Sequence, residues 1–173
     1  MKPTVIKGKA YVVKGKDGML IPDVDTDMIF HNRYLTITDI NEMGKYSFDN
    51  LEGYERFAED DHNNEILIIG ENFGSGSSRQ QAVDCFRANG IQLIIGKSFG
   101  AIYERNAINS GMPILWAGEE AEKIKMGDDL EIDLEKGIIT VNATTVLQAT
   151  PFSQVQMDIY QAGDLFKYGK SVN

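Results

Sequence analysis

Three short apolar runs follow one another along the middle of the chain, and segments of helical character separate them. The runs occupy residues 65–70, 91–96 and 112–116, and the first reads Glu-Ile-Leu-Ile-Ile-Gly. Uninterrupted runs of this kind are typical of strands that are buried on both faces. Helices are predicted over 79–89 and 98–110, each followed by a glycine that ends it. This alternating order predicts right-handed crossovers and a parallel sheet.

The two ends of the chain add further β-structure. Residues 7–14 predict a strand, and alternating runs at 129–134 and 138–141 flank a Glu-Lys-Gly turn, which is typical of a β-hairpin. We therefore expect an α/β fold, a three-layer β/β/α arrangement with a central, mainly parallel sheet and a C-terminal β-hairpin. One domain is expected to cover residues 1–173, because a chain of this length can enclose one core. The polar and aromatic segment 38–64 is expected on the outside of that core.

Charge and composition exclude several classes of partner. The net charge is −9, and an acidic surface repels phosphate backbones, so no nucleic acid is expected as a partner. No apolar run reaches ~18 residues and the N-terminus lacks the apolar stretch of a signal peptide, so we expect no membrane association and a cytoplasmic location. The single cysteine, Cys85, can form neither an internal disulfide nor a metal cluster by itself. The two histidines, His31 and His62, lie in polar segments and are both expected at the surface.

A glycine- and serine-rich loop joins the first apolar run to its helix. Gly74 and Gly76 allow a tight turn and a close approach of the backbone to a ligand. Ser77 and Ser78 are predicted at the helix N-terminus, where free backbone N–H groups and the helix dipole attract an anion. Arg79 adds a planar fork that suits a carboxylate. Since ligands of open α/β sheets bind at the carboxyl ends of the strands, the loop is interpreted as a carboxylate cradle.

Two other glycine-rich motifs do not fit the spacing. A dinucleotide-binding loop needs a third glycine where Arg79 stands, and a phosphate-binding P-loop needs a lysine that is absent between Gly70 and Gly96. A plain turn in which Ser78 acts only as an N-cap remains an alternative on the local residues alone.

Several blocks together resemble a known family. Asn-Phe-Gly-Ser-Gly-Ser-Ser-Arg at 72–79 is followed by Ile-Ile-Gly-Lys-Ser-Phe at 94–99 and Arg-Asn-Ala-Ile-Asn-Ser-Gly-Met-Pro at 105–113. Upstream, Asp-Thr-Asp at 25–27 precedes Arg-Tyr-Leu at 33–35. In this order the blocks resemble the swivelling domain of the aconitase superfamily. The length, without cluster-binding cysteines, is similar to that of the separate small subunits of isopropylmalate- and homocitrate-converting members.

The resemblance implies a hydro-lyase that removes and re-adds water on a small dicarboxylic 2-hydroxy acid. It implies that Ser77 is the catalytic base and that Ser78 and Arg79 bind a substrate carboxylate. It also implies a large partner subunit that carries a [4Fe–4S] cluster, with no cofactor or metal on this chain. Further residues match family positions that shape the cleft, and for the first three of them contact with substrate stays open: Asp25, Thr26, Asp27, Tyr34, Leu35, Gly74 and Gly76.

The stretch after Tyr34 and Leu35 bears on the substrate. The resemblance implies that homocitrate-converting members carry an arginine directly after the Tyr-Leu pair. This chain has Thr36 and Ile37 there instead. Without a guanidinium, a third carboxylate would enter the pocket poorly compensated. Thr36 and Ile37 are therefore predicted to contact the substrate, and Ile37 either lines an alkyl pocket or points into the core. The prediction is 2-isopropylmalate, a leucine-biosynthesis substrate, although a shift of Arg33 would weaken it.

Departures from the usual family pattern keep other substrates open. Gln80 and Gln81 replace a Glu-His pair, Ser75 replaces a frequent cysteine, and Ala101 replaces a frequent arginine. Loss of the histidine removes a titratable group beside the anion site. Homocitrate and a methylated malate remain alternative substrates, and a non-catalytic carboxylate-binding module remains an alternative function.

Overall fold

Seven strands form one sheet in the computed structural model, which describes residues 1–173. The strands are β1 (Val5–Val12), β2 (Ile66–Ile69), β3 (Leu93–Gly96), β4 (Ile114–Trp116), β5 (Asp129–Asp133), β6 (Ile138–Val141) and β7 (Thr145–Gln148). Their order across the sheet is β4-β3-β2-β1-β5-β6-β7. The four strands β1 to β4 run parallel, and β5, β6 and β7 continue the sheet antiparallel to one another from β1.

Six α-helices and four short 3-10 helices accompany the sheet. The α-helices are α1 (Thr26–Ile29), α2 (Ile40–Met43), α3 (Gln81–Ala88), α4 (Ala101–Asn109), α5 (Gln154–Ala162) and α6 (Leu165–Ser171). The 3-10 helices are Asn32–Tyr34, Gly44–Tyr46, Phe57–Glu59 and Gly118–Lys123. None of the helices has the length and apolar character needed to cross a membrane.

The sheet curls so that it contributes two of the three layers. Leu67 of β2 packs with Phe86 of α3 in one core cluster, on the helical face of the sheet. Its neighbour Ile68 points the other way and packs with Ile132 of β5 and Leu147 of β7 in a second cluster. Both faces of β2 are therefore buried, which explains its continuous apolar run. The predicted α/β fold with a mainly parallel core and a C-terminal hairpin is confirmed, and β7 extends the hairpin.

The prediction that residues 38–64 lie outside the core is wrong. Phe48, Leu51 and Phe57 are buried in the cluster on the helical face of the sheet. The prediction for His62 is also wrong, since its ring is buried and stacks on Phe57 with 3.8 Å between ring centroids. The ring of Phe57 lies 5.0 Å from that of Tyr11 on β1, centroid to centroid, so this segment packs against the sheet at β1. The spacing of Phe48, Leu51 and Phe57 follows neither helix nor strand periodicity, so no periodic pattern indicated that they are buried.

Candidate functional site

The loop between β2 and α3 is held on both sides by segments that follow the neighbouring strands. The N–H of Gly74 donates to the carbonyl of Val24, 2.7 Å away, in the segment after β1. On the other side, the N–H of Gly100 donates to the carbonyl of Phe73 at 2.8 Å, in the segment after β3. The carboxyl ends of three parallel strands thus fix the base of this loop, as expected for a ligand site of an open α/β sheet.

Gly74 is required by both its backbone and its surroundings. Its φ of 80° lies in the left-handed region, and an added Cβ would approach the ring of Tyr103 closer than 3.0 Å. The hydroxyl of Tyr103 in turn donates to the carbonyl of Ala82 at 3.0 Å. Tyr103 therefore joins α4, α3 and the loop into one rigid unit. Gly76, with φ 98°, is also left-handed but has no such close neighbour.

The tip of the loop projects into solvent with unused hydrogen-bond donors. Ser77 and Ser78 are exposed, and the hydroxyl of Ser77 makes no hydrogen bond within the protein. The backbone N–H groups from Gly76 to Gln81 likewise donate to no protein acceptor. A run of free N–H donors of this kind favours an anion.

The predicted start of the helix is wrong by two residues, because α3 begins at Gln81 rather than Arg79. Ser77 and Ser78 consequently lie in the loop before the helix, and Ser78 is not its N-cap residue, which is Gln80. The free N–H groups are still present, because the first N–H to donate at this end of the helix is that of Ala82, which bonds to the carbonyl of Arg79. The donors of the predicted carboxylate cradle therefore belong to the loop more than to the helix.

Arg79 lies beneath the exposed serines. Its side chain is only 12% exposed, and its Nη1 donates to Oδ1 of Asp27 at 3.0 Å and to the carbonyl of Phe30 at 3.1 Å. Its Nε and Nη2 make no hydrogen bond within the protein. One side of the guanidinium is therefore fixed by the fold, while the other two nitrogens are available to an anion.

The Asp-Thr-Asp block shapes this loop. Asp25 caps α1 by accepting from the N–H of Met28 at 2.9 Å, and Thr26 donates its N–H to the carbonyl of Ser75 at 2.9 Å. Asp27 accepts from Arg79. Each member of the block thus holds the loop or the helix that supports it.

The carboxyl group of Asp27 is held in its ionised form. Desolvation alone would raise its pKa, but the hydrogen bonds from the Arg79 side chain and from the N–H of Asn32 lower the pKa below its ordinary value. Asn50 adds a third contact, since its Nδ2 lies 3.1 Å from the Asp27 carbonyl and 3.3 Å from Oδ2. The negative charge on Asp27 is therefore available to orient the guanidinium of Arg79.

Tyr34, in the segment that follows α1, makes contacts that hold this segment in place. Its hydroxyl donates to Oδ2 of Asp49 at 2.7 Å, and this hydrogen bond raises the pKa of Tyr34. Its ring stacks on that of Tyr46 with 4.1 Å between centroids. The guanidinium of Arg33 lies 5.3 Å from the centroid of the Tyr34 ring. Arg33 is thus engaged with an aromatic neighbour in this structure.

The next three residues differ in exposure. Leu35 and Thr36 are exposed, whereas Ile37 is half-buried and packs against the core cluster on the helical face of the sheet. Ile37 thus takes the core-facing alternative. Gln81 donates from Nε2 to the Leu35 carbonyl at 3.3 Å, so this family departure links α3 to the segment. That Thr36 contacts substrate stays a prediction.

The other three residues that depart from the usual family pattern make local contacts or none. Gln80 donates to Oδ1 of Asp84 within α3 at 3.2 Å. Ala101 is the exposed first residue of α4. The Ser75 hydroxyl makes no hydrogen bond within the protein, although its backbone anchors the loop.

Two asparagines in the site were missed by the sequence analysis. Asn106 of α4 donates to Oγ of Ser78 at 3.0 Å, and Asn50 contacts Asp27. Asn106 belongs to the block at 105–113 that carried the family resemblance. Plotting the residues of that predicted helix by face would have shown Asn106 as a candidate site residue. Asn50 lies in an irregular polar segment, where no periodic pattern indicated its position.

The side chains of this chain do not fit a metal cluster. No group of three or more His, Cys, Asp or Glu side chains comes together in a way that could hold a metal ion. The thiol of Cys85 is buried in α3, and burial raises its pKa to about 12. Because iron–sulfur clusters are ligated by thiolates, and this buried thiol stays protonated, Cys85 is an inert core residue.

Comparison with known proteins places this site within a family. The aconitase C-terminal domain family matches residues 23–117, which make up more than half of the chain and contain the loop, its anchors and α4. The chain belongs to this family. The match begins at the segment before Asp25 and ends just after β4. The aconitase resemblance drawn from the sequence blocks is thereby confirmed.

Individual relatives extend this similarity to most of the chain. The 3-isopropylmalate dehydratase small subunit of Aquifex aeolicus is 42% identical over 149 residues, covering 86% of this chain and 88% of that relative. The small subunit of Methanosarcina mazei is 37% identical over 162 residues, covering 92% and 98%. The crystal structure of 3-isopropylmalate dehydratase from Methanocaldococcus jannaschii superposes with a TM-score of 0.84 at 36% identity, covering 97% of this chain and 95% of that one.

Proposed function

We propose that the chain is the small subunit of a 3-isopropylmalate dehydratase. The enzyme would isomerise 2-isopropylmalate to 3-isopropylmalate by removing and re-adding water, a reaction of leucine biosynthesis in the cytoplasm. The observation that carries the proposal is the loop tip, where an unbonded Ser77 hydroxyl lies next to free backbone N–H groups and the free side of Arg79. Relatives that share most of the chain and bear this enzyme's name support the choice.

Some residues of the loop bind the substrate, and Ser77 transfers the proton. The free Nε and Nη2 of Arg79 and the hydroxyl of Ser78 bind one carboxylate of the substrate. Ser77 takes the proton from the carbon next to a carboxylate. A serine hydroxyl is ordinarily far too weak a base for this step, so its alkoxide needs stabilisation by nearby positive charge and N–H donors. The guanidinium and the free N–H groups from Gly76 to Gln81 supply both.

The reaction also needs a partner. Because the only thiol of this chain is buried and protonated, we propose a large subunit that carries the [4Fe–4S] cluster and faces the loop. When bound there, the cluster supplies Lewis-acid assistance to the departing hydroxyl group. The role of this chain is to bind and orient the substrate and to hold the proton that Ser77 removes.

The structure and the relatives favour 2-isopropylmalate over the alternatives. Thr36 offers no positive charge to a third carboxylate, and the guanidinium of Arg33 lies over the Tyr34 ring. Homocitrate would therefore carry an uncompensated charge at this side of the site. A non-catalytic carboxylate-binding module does not require a hydroxyl at position 77, whereas catalysis does.

Reconstitution tests the proposed function. The chain is purified alone and together with the proposed cluster-bearing large subunit, and kcat/KM is measured for 2-isopropylmalate, homocitrate and a methylated malate. We expect turnover only in the complex, with the highest kcat/KM for 2-isopropylmalate. Preference for another substrate would overturn the substrate assignment, and carboxylate binding without turnover in the complex would favour the binding module.

A further inference from the structure

Helix α4 brings one amide side chain to the proposed carboxylate cradle. The Nδ2 of Asn106 donates to Oγ of Ser78 over 3.0 Å. Asn106 is half-buried, whereas Ser78 is exposed at the loop tip. The proposed mechanism assigns Ser78 a role in substrate binding but leaves Asn106 without one.

The helix that carries Asn106 is rigidly joined to the loop. Tyr103 lies three residues earlier, on the same side of α4, and it is buried with its hydroxyl bonded to the Ala82 carbonyl. Its ring lies against Gly74 at the base of the loop. At the same helix, Glu104 accepts a hydrogen bond from Nε1 of Trp116 at 3.1 Å, which joins α4 to the end of β4. The Asn106 amide is therefore presented to Ser78 from a fixed platform.

This contact decides what the Ser78 hydroxyl can do. A hydroxyl has one O–H donor and two lone pairs, and the Asn106 amide occupies one of those lone pairs. The O–H then points away from the amide and, since it has no acceptor within the protein, is free to donate to a ligand. An ionised carboxylate only accepts hydrogen bonds, so it needs a donor at this position.

We infer that Asn106 is a positioning residue that holds Ser78 as a hydrogen-bond donor to the substrate carboxylate. The inference rests on the proposed function, because it takes the ligand of Ser78 to be a substrate carboxylate. Asn106 touches Ser78 and acts through it. Its contribution should be equal in the ground state and the transition state, since the carboxylate is bound in both.

Two substitutions separate this role from packing. In the complex with the large subunit, Asn106→Ala removes the amide, and Asn106→Asp keeps its shape but replaces the donor with a charged acceptor. For Asn106→Ala we expect KM and the Kd for 2-isopropylmalate to rise about threefold to tenfold, with kcat within about twofold of the wild type. For Asn106→Asp we expect Kd to rise about tenfold further. The new carboxylate repels the substrate carboxylate, and it accepts the hydrogen bond that the Ser78 hydroxyl would otherwise donate to the substrate.

A packing role predicts the opposite order. Aspartate has nearly the volume of asparagine, so a residue that only fills space would tolerate aspartate better than alanine. Asn109→Asp serves as the matched control, because it makes the same charge change on α4 at a position that lines a separate cavity with Leu165, the first residue of α6. We expect Asn109→Asp to leave Kd within about twofold of the wild type.

Isothermal titration calorimetry with 2-isopropylmalate and steady-state kinetics give the deciding readouts. A Kd for Asn106→Asp equal to or below that of Asn106→Ala would overturn the inference, as would an equal effect of Asn109→Asp. If the wild-type complex binds 2-isopropylmalate but does not turn it over, the proposed function fails while the order of Kd values still decides the role of Asn106. If the wild-type complex does not bind it, both fail.

Discussion

Ser77 is proposed to act in catalysis, but its side chain should contribute little to the stability of the fold. It is exposed and its hydroxyl has no partner, so Ser77→Ala should change the free energy of unfolding by less than about 0.5 kcal/mol. Loss of the proposed base should lower kcat of the reconstituted complex by about 10²- to 10⁴-fold. Urea unfolding and turnover of 2-isopropylmalate measure the two effects.

Ser75→Ala is the matched control for that prediction. It removes the same atoms from the same loop, and the hydroxyl of Ser75 likewise makes no hydrogen bond. We expect its kcat to stay within about twofold of the wild type, because the role of Ser75 is carried by its backbone. A near-normal kcat for Ser77→Ala would mean that another residue is the base.

Thr36 is the residue at which substrate preference is predicted to change. Thr36→Arg should favour a substrate with an additional carboxylate, because the guanidinium pairs with that group and would lie unpaired against an isopropyl group. The ratio of kcat/KM for homocitrate and 2-isopropylmalate should rise about ten- to a thousandfold. Thr38→Arg places the same side chain at the exposed position two residues on and should leave the ratio unchanged. An unmoved ratio in Thr36→Arg would remove position 36 from the pocket.

The hydrogen bond between Asp27 and Arg79 connects α1 with the loop. Because the carboxylate of Asp27 is charged, the stability that this contact contributes should depend on pH. The pKa of Asp27 is lowered in the folded protein, so its ionised form stabilises the fold above the ordinary carboxyl pKa of about 3.9. This stabilisation is lost as the pH falls through the lower, folded pKa. Asp27→Asn should therefore reduce stability at pH 7 by up to about 1 kcal/mol, and the difference from wild type should shrink as the pH falls below about 4.

Urea unfolding of the isolated chain across this pH range measures the difference. A difference between Asp27→Asn and wild type that stays constant from pH 7 to pH 2 would show that the charge on Asp27 is not its origin. In the complex, the same substitution should raise KM, because a neutral amide oxygen replaces the charged carboxylate that orients the guanidinium of Arg79.

The junction of the loop with α4 depends on a glycine at position 74. Gly74→Ala should destabilise the fold by about 2–4 kcal/mol, since alanine would suffer both the left-handed φ and overlap with Tyr103. Gly18→Ala is the matched control, because Gly18 has nearly the same φ of 79° but nothing within 4 Å of its added Cβ. We expect it to cost only about 1 kcal/mol. Equal losses for the two variants, measured by urea unfolding, would show that contact with Tyr103 is unimportant.

At the scale of the whole molecule, the chain has the proposed carboxylate site at the carboxyl ends of its parallel strands but no ligand set for iron. The isolated chain, incubated with iron and sulfide under reducing conditions, should therefore bind no [4Fe–4S] cluster and show no visible absorbance. The same treatment of the complex should give the colour of a cluster. Stoichiometric iron on the isolated chain would contradict the assignment of the cluster to the large subunit.

The sequence by itself determined the parallel half of the sheet, the hairpin and the position of the loop. Each of these has a local cause: buried strands need unbroken apolar runs, helices end at glycine, and a loop at the carboxyl end of a strand follows from the chain order. The family blocks added the expected roles of Ser77, Ser78 and Arg79, which lie together at the loop tip. Helices α5 and α6 and strand β7 were not predicted from the sequence.

Only the tertiary structure decided how these residues are held. Arg79 is oriented by Asp27, which lies 52 residues earlier, and Ser78 is held by Asn106, which lies 28 residues later. Burial of His62 against Phe57 likewise depends on how the irregular segment folds over the sheet. Contacts between distant residues depend on the path of the backbone through space, so a local pattern predicts which groups are present but not which of them meet.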